Sequence, residues 1–266
     1  MTDLQTYPAG YSVIAQLKTE QGKYRQNFLA SIFGLSPLQS ESRSWYTGAL
    51  GEIEVGKALD ALKKDGYVVL HSVPIGQKGS DIDHIVLTPS HAVYTINTKT
   101  HYGKKIWAAG STFMVNGHKQ PYFRNSEYEA KRVAEKLKNF YVKKVAPLIV
   151  VVGAEKLSFK SDIKVPVLSA DKLVSHIRME EDARQKHRIC TEANDVQRSE
   201  ELPQKISSTD FWTKKAPVHP EQNELYEWFY NLKRTVRVRK LTAFCWKFGF
   251  LALASLAVLN FWVLLK

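Results

Sequence analysis

The chain has 266 residues, 44% of them hydrophobic, enough to bury one domain of ordinary size plus appendages. Its two cysteines, Cys190 and Cys245, exclude a disulfide-stapled scaffold, because Cys245 borders a C-terminal apolar run. The net charge of +12 is uneven: Lys and Arg exceed Asp and Glu by seven over 41–176 and by seven over 231–266, so two basic regions need separate explanations.

Residues 1–43 read as an N-terminal helical extension. Val13, Ile14 and Leu17, then Phe28, Leu29 and Ile32, fall on helical faces, with Gly34 and Pro37 as stops. A basic stretch followed by an apolar core is missing here, so a cleaved secretory signal is not expected. No chemistry is expected in this part.

From Trp45 to Lys64 the spacing predicts a helix whose apolar face carries Gly48, Ala49, Val55, Gly56, Leu59 and Leu62. Glu52 lies on that same face, whereas Glu54 falls on the opposite one with Lys57, Ala61 and Lys64. A carboxylate on an apolar face is costly unless it is paired or holds a metal. Pairing with Lys99 is the plain alternative.

Asp65-Gly66 marks a turn into a first strand, Tyr67 to Leu70. Two further strand-like runs lie within Gly79–Thr100. By the two-residue strand period, Asp81, Asp83, Ile85 and Leu87 share one face of the first run, and Val93, Thr95, Asn97 and Lys99 one face of the second. A three-residue loop, Pro89-Ser90-His91, closing on a Thr88/Ala92 pair sets Asp83 opposite Asn97, so that Asp83, Asn97 and Lys99 converge.

A small hairpin region follows, with Ile106–Ala108, Thr112–Val115 and a tight turn at Asn116-Gly117. Ser126-x-x-Glu129 matches a capping box, opening a helix with Ala130, Val133, Ala134, Leu137, Phe140 and Tyr141 on its apolar face. Its exposed face carries Lys131, Arg132, Lys136 and Lys138, with Lys143 and Lys144 beyond, either solvated or available to phosphates. Leu148–Val152 reads as a strand covered on both faces, Val165–Leu168 as another, and Asp171–Met179 as a helix. His84, His91, His101 and His118 lack zinc-ligand spacing, and no cysteine joins them.

Three segments of this chain together resemble the nuclease-related domain (NERD), a branch of the PD-(D/E)xK restriction-endonuclease-like group: Gly48-Ala-Leu-Gly-Glu52, Ser80-Asp-Ile-Asp-His84, and Asn97-Thr-Lys99 followed by Gly103. The resemblance runs from about Trp45 to His176 and includes Ile106–Glu129. It implies an α/β fold with a restriction-endonuclease-like mixed sheet flanked by helices. It also implies a divalent-metal-dependent nuclease acting on nucleic acid, DNA in the first instance. Asp83, the side chain at 97 and the Thr98 carbonyl would hold Mg²⁺ or Mn²⁺, Glu52 would support the metal or its waters, and Lys99 would orient the attacking water. One departure stands out: where the family pattern has Glu or Asp, this chain has Asn97. An amide oxygen still ligates a hard cation, so weakened cleavage, or binding of nucleic acid or protein without cleavage, is the alternative.

The domain is expected over 44–179, followed by a mildly acidic, partly helical connector over 180–232 and a basic juxtamembrane segment over 233–247. Phe248–Leu265 is eighteen residues without a charge. At about 1.5 Å per residue it would reach across the hydrocarbon core as one transmembrane helix. Lys233, Arg234, Arg237, Arg239, Lys240 and Lys247 precede it with no acid after Glu227, which by the positive-inside rule keeps the main domain cytoplasmic. The expected location is therefore the cell membrane, in single-pass form, with Trp246 and Trp262 near the two ends of the span.

Overall fold

The computed structural model describes residues 3–22, 28–75, 81–160, 162–186, 201–213 and 221–264, with only the backbone for 252–254 and 256–264. Gly79, Ser80 and Cys190 lie outside the described residues. The chain forms two compact units, Met1–Val13 with Thr47–Val218, and Ile14–Tyr46 with His219–Lys266.

The first unit is a mixed α/β fold. Its central sheet has the order β1-β2-β3-β7-β9, built from β1 (Val68–Pro74), β2 (Asp81–Leu87), β3 (Ala92–Thr100), β7 (Lys144–Val152) and β9 (Val167–Ser169). The first three strands run antiparallel, while β3, β7 and β9 run parallel. A second sheet has the order β6-β5-β4-β8. It comprises β4 (Lys105–Ala109), β5 (Thr112–Val115), β6 (His118–Gln120) and β8 (Lys156–Phe159). The tight turn before β6 puts Asn116 at φ 49° and Gly117 at φ 83°, as that dipeptide predicts.

Helices α3 (Ser40–Asp60), α4 (Tyr122–Leu137) and α5 (Ala170–Lys186) flank the central sheet. Val55, Leu59 and Leu62 pack with Val69, Val86, Tyr94, Ile96 and Leu148, and with Leu173 and Ile177 of α5. Val133 and Leu137 of α4 pack with Ile82, Ile85, Leu87 and Val93. Leu4, Leu202, Ile206 and Trp212 join this second core. Leu202, Ile206 and Trp212 come from the stretch read as a connector.

The capping-box expectation is not met. Helix α4 begins at Tyr122 with Pro121 at the N-cap, and that cap has no side-chain hydrogen bond. Ser126 and Glu129 therefore sit inside the helix, which leaves Glu129 available for another role.

In the second unit, α1 (Tyr11–Gly22) continues from the first, α2 (Phe28–Ile32) is short, and a 43-residue helix runs from Gln222 to Leu264. The run expected to span a membrane is the end of that long helix. Among the described residues no helix is long and apolar enough to cross a membrane. Most side chains of 248–265 lie outside the described residues.

Candidate active site

The β2–β3 register follows from the loop between the strands. Thr88 N–H donates to the Ala92 carbonyl at 2.8 Å, and His84 lies opposite Ile96. In an antiparallel ladder that pairing repeats every second residue, so the Thr98 amide should next meet the Ile82 carbonyl. Instead Thr98 N–H donates to Asp83 Oδ2 at 2.6 Å. The strands part at this point, and a carboxylate replaces a backbone partner.

Side-chain alternation in β2 is interrupted at the same place. Ile82 packs in the same core as Ile85 and Leu87, although an odd step separates it from them. On the facing strand β1, Ser72 adopts φ 48°, a left-handed conformation that turns the chain locally. The expectation that Asp81 and Asp83 share the face of Ile85 and Leu87 is therefore corrected. The apolar positions keep the core, and the two aspartates are turned out of it.

Glu52 reaches this place because α3 lies close against β3. A Cβ at Gly51 would overlap Thr100 Oγ1 and touch the Thr98 side chain. Only glycine lets the helix backbone come so near. Glu52 is 5% exposed and its Oε2 has no hydrogen-bond partner. Burial pushes its pKa well above the ordinary carboxylate value, with Asp83 and Asp81 adding repulsion and Lys99 opposing it. Glu54 is exposed, as its position on the helix predicts.

Asp83 titrates upward too, to about 7: burial dominates, Lys99 and the Thr98 N–H pull it down, and Asp81 and Glu129 push it up. Asn97 is 6% exposed. Its Nδ2 donates to both carboxylate oxygens of Glu129 at 2.9 Å each, while its Oδ1 is buried without a partner. Glu129 is raised above the usual range by burial, with the Asn97 amide and Lys99 lowering it and Asp81 raising it. Lys99 Nζ lies 5.1 Å from the centre of the Tyr122 ring, at the start of α4. Tyr122 in turn stacks on His101, whose pKa burial lowers to about 4 with help from Lys104 and Lys99.

Glu52, Asp83, Asn97 and Lys99 are thus gathered in one electrostatically linked cluster, together with Asp81. Thr98 belongs to it through its amide, which holds Asp83. Sequence reasoning missed two members, Glu129 and Tyr122. The signal for Glu129 was its place two turns into an amphipathic helix, four residues before Val133 on the core-facing side, but the capping pattern explained it away.

Chemically, the cluster sets four carboxylates around one lysine and leaves buried oxygens, Glu52 Oε2 and Asn97 Oδ1 among them, without donors. All its candidate ligands are oxygens, which suits a hard divalent cation. Among the described residues, however, no group of three or more His, Cys, Asp or Glu side chains converges tightly enough to hold a metal ion. No curated protein and no solved structure matches this chain. Residues 47–152, which carry Glu52, Asp83, Asn97, Lys99 and Glu129, match the family model described as NERD, nuclease-related domain.

Proposed function

We propose that this protein is a membrane-anchored, divalent-metal-dependent nuclease that hydrolyses phosphodiester bonds, in DNA in the first instance, with a restriction-endonuclease-like domain over 47–152 as its catalytic part. The observation that carries the reading is the pair of buried, unpartnered oxygens, Glu52 Oε2 and Asn97 Oδ1, within a cluster that also holds Asp83 and Lys99. Buried acceptors are normally satisfied, and orphaned ones facing several carboxylates fit a bound cation. The match to a nuclease-related family model supports the same reading.

In this reading Asp83, Asn97 Oδ1 and the Thr98 carbonyl would hold Mg²⁺ or Mn²⁺, with Glu52 supporting the metal or its waters. When bound, the cation supplies Lewis-acid charge stabilisation to the phosphate. Lys99 orients the attacking water and offsets charge developing on the phosphate oxygens. Tyr122 confines the lysine from the other side. Glu129 restores the negative charge that Asn97 lacks, and by accepting from Nδ2 it turns the Asn97 oxygen away from itself. The run 248–265 anchors the protein, and the basic residues before it keep the main domain on the cytoplasmic side.

A second reading is favoured by Asn97 itself and by the lack of a tight three-ligand group among the described residues: a nuclease-like module that binds nucleic acid without cutting it. Substituting Asn97→Glu separates the two. Under the nuclease reading it preserves or raises cleavage with Mg²⁺ or Mn²⁺. Under the binding reading native protein gives only background hydrolysis of duplex DNA, single-stranded DNA and RNA, and the substitution creates cleavage or leaves none.

A further inference from the structure

The second unit carries an apolar surface that the proposed chemistry does not use. Phe28, Leu29 and Leu35 are 76, 57 and 59% exposed, and Phe33 is also more than half exposed. Four large apolar side chains within eight residues are far more than the scattered exposure of an ordinary surface.

This segment is fastened along about two turns of the long helix, from Trp246 back to Arg239. Trp246 Nε1 donates to the Ile32 carbonyl at 2.8 Å, the Phe33 and Trp246 rings stand 5.6 Å apart, and the Arg239 guanidinium donates to the Leu35 carbonyl at 3.2 Å. Gly34, at φ 66°, sits so near the helix that a Cβ would overlap the Ala243 backbone. The glycine thus permits both the turn and the close approach.

The end of the attachment nearer the uncharged run is informative. Trp246 lies two residues, about 3 Å along the axis, before the uncharged run that starts at Phe248. On the helix itself Phe248 and Leu251 are exposed, continuing the apolar surface, while Arg237, Lys240 and Lys247 ring it with positive charge. An indole whose N–H is satisfied, set between Lys240 and Lys247 just before an uncharged run, matches the headgroup boundary of a bilayer. A protein partner would account for the apolar area but not for basic side chains interleaved with it at the start of an eighteen-residue uncharged run.

We propose that residues 28–35 form a lipid-contacting element, and that a bilayer with anionic headgroups covers this surface. The element lies in the interface beside the long helix, with its apolar side chains immersed by about 5–10 Å and the neighbouring Arg and Lys side chains on lipid phosphates. This rests on the reading of 248–265 as a membrane anchor.

The test uses the full-length protein with Cys190→Ser and Cys245→Ser, carrying a nitroxide at Leu29→Cys, or in parallel at Leu35→Cys or Leu251→Cys. It is reconstituted in phosphatidylcholine vesicles with about a quarter phosphatidylglycerol. At positions 29 and 35, relaxation by oxygen should exceed relaxation by a water-soluble nickel complex several-fold, as at 251, while a label at Lys57→Cys shows the reverse. A lipid signal at 251 with an aqueous signal at 29 and 35 overturns the inference and leaves the anchor standing. Aqueous signals at all three, with protein that fails to float with the vesicles, overturn the anchor and the inference together. Dipolar broadening between labels at 29 identifies a second copy as the occupant and overturns the lipid assignment.

Discussion

The Asn97 side-chain amide donates to the Glu129 carboxylate, Nδ2 lying 2.9 Å from each of its two oxygens, across 32 residues of sequence. An aspartate at 97 would set carboxylate against carboxylate in a buried place. With a chelator present, Asn97→Asp should therefore lower stability by about 1–3 kcal/mol. Added Mn²⁺ should recover much of this loss. Combining Asn97→Asp with Glu129→Gln returns an amide to the pair, so the double variant should be more stable than the sum of its parts. Thermal melts of the four proteins, with and without Mn²⁺, check this.

Asp83 gives a pH dependence. Its pKa in the folded protein is raised to about 7 from the ordinary 3.8, chiefly by burial. The folded state therefore holds this proton where the unfolded state has lost it. Stability from this group is complete below the unfolded pKa and declines as pH rises through 7. In metal-free buffer the melting temperature of Asp83→Asn, which cannot ionise, should gain on the native protein steadily from pH 4 to pH 7 and level off above that. A difference that shrinks over this range would contradict the assignment.

Much of this site was legible because strand and helix periods are short and rigid. Glu52 and Glu54 differ by two positions, about 200° around a helix, which decides which of them is buried. The three-residue loop, with His91 at φ 63°, sets the β2–β3 register as the local sequence predicts, from Leu87 opposite Val93 to His84 opposite Ile96, one step short of Asp83. What period reasoning could not reach were events that break a period. The left-handed Ser72 and the parting of β2 from β3 re-aim the aspartates, and nothing in the spacing of DIDHIVL marks the place. Glu129 and Tyr122 arrive from a helix whose start is set by Pro121, five residues ahead of the capping pattern. The burial of Leu202, Ile206 and Trp212 was hidden because isolated short helical turns leave too few apolar repeats to register as a face.

Gly51 makes the placement of Glu52 testable apart from its charge. Gly51→Val should force α3 away from Thr100 and Thr98, costing about 1–3 kcal/mol for overpacking. It should also carry Glu52 out of the cluster, away from burial and from Asp83 and Asp81, so that Glu52 titrates closer to its ordinary value. Denaturant midpoints and NMR titration of the Glu52 carboxyl in the variant follow the two effects separately.

Glu181 of α5 holds the β2–β3 loop. It accepts the Ser90 N–H at 2.8 Å and the Ser90 hydroxyl at 2.6 Å. Burial alone would raise its pKa, but hydrogen bonds from Ser90, Thr88 and Gln185 outweigh that and hold it low. Glu181→Ala leaves a buried N–H without a partner, so a loss of about 1–3 kcal/mol is expected. Hydrogen exchange of the Ser90 amide should quicken in the variant, and unchanged protection would argue against this role.

The central claim is that Lys99 serves a phosphodiester bond held beside Glu52, Asp83 and Asn97. Its most direct test is cleavage of labelled duplex DNA by full-length protein in Mg²⁺ or Mn²⁺, native against Lys99→Ala, with affinity for the same DNA measured in parallel. The account predicts that cleavage falls on the order of a hundredfold or more while affinity and its salt dependence change little, since one phosphate contact shifts the salt slope by about one unit. Equal hydrolysis by the native protein and the variant, at the level of a no-protein control, would contradict it.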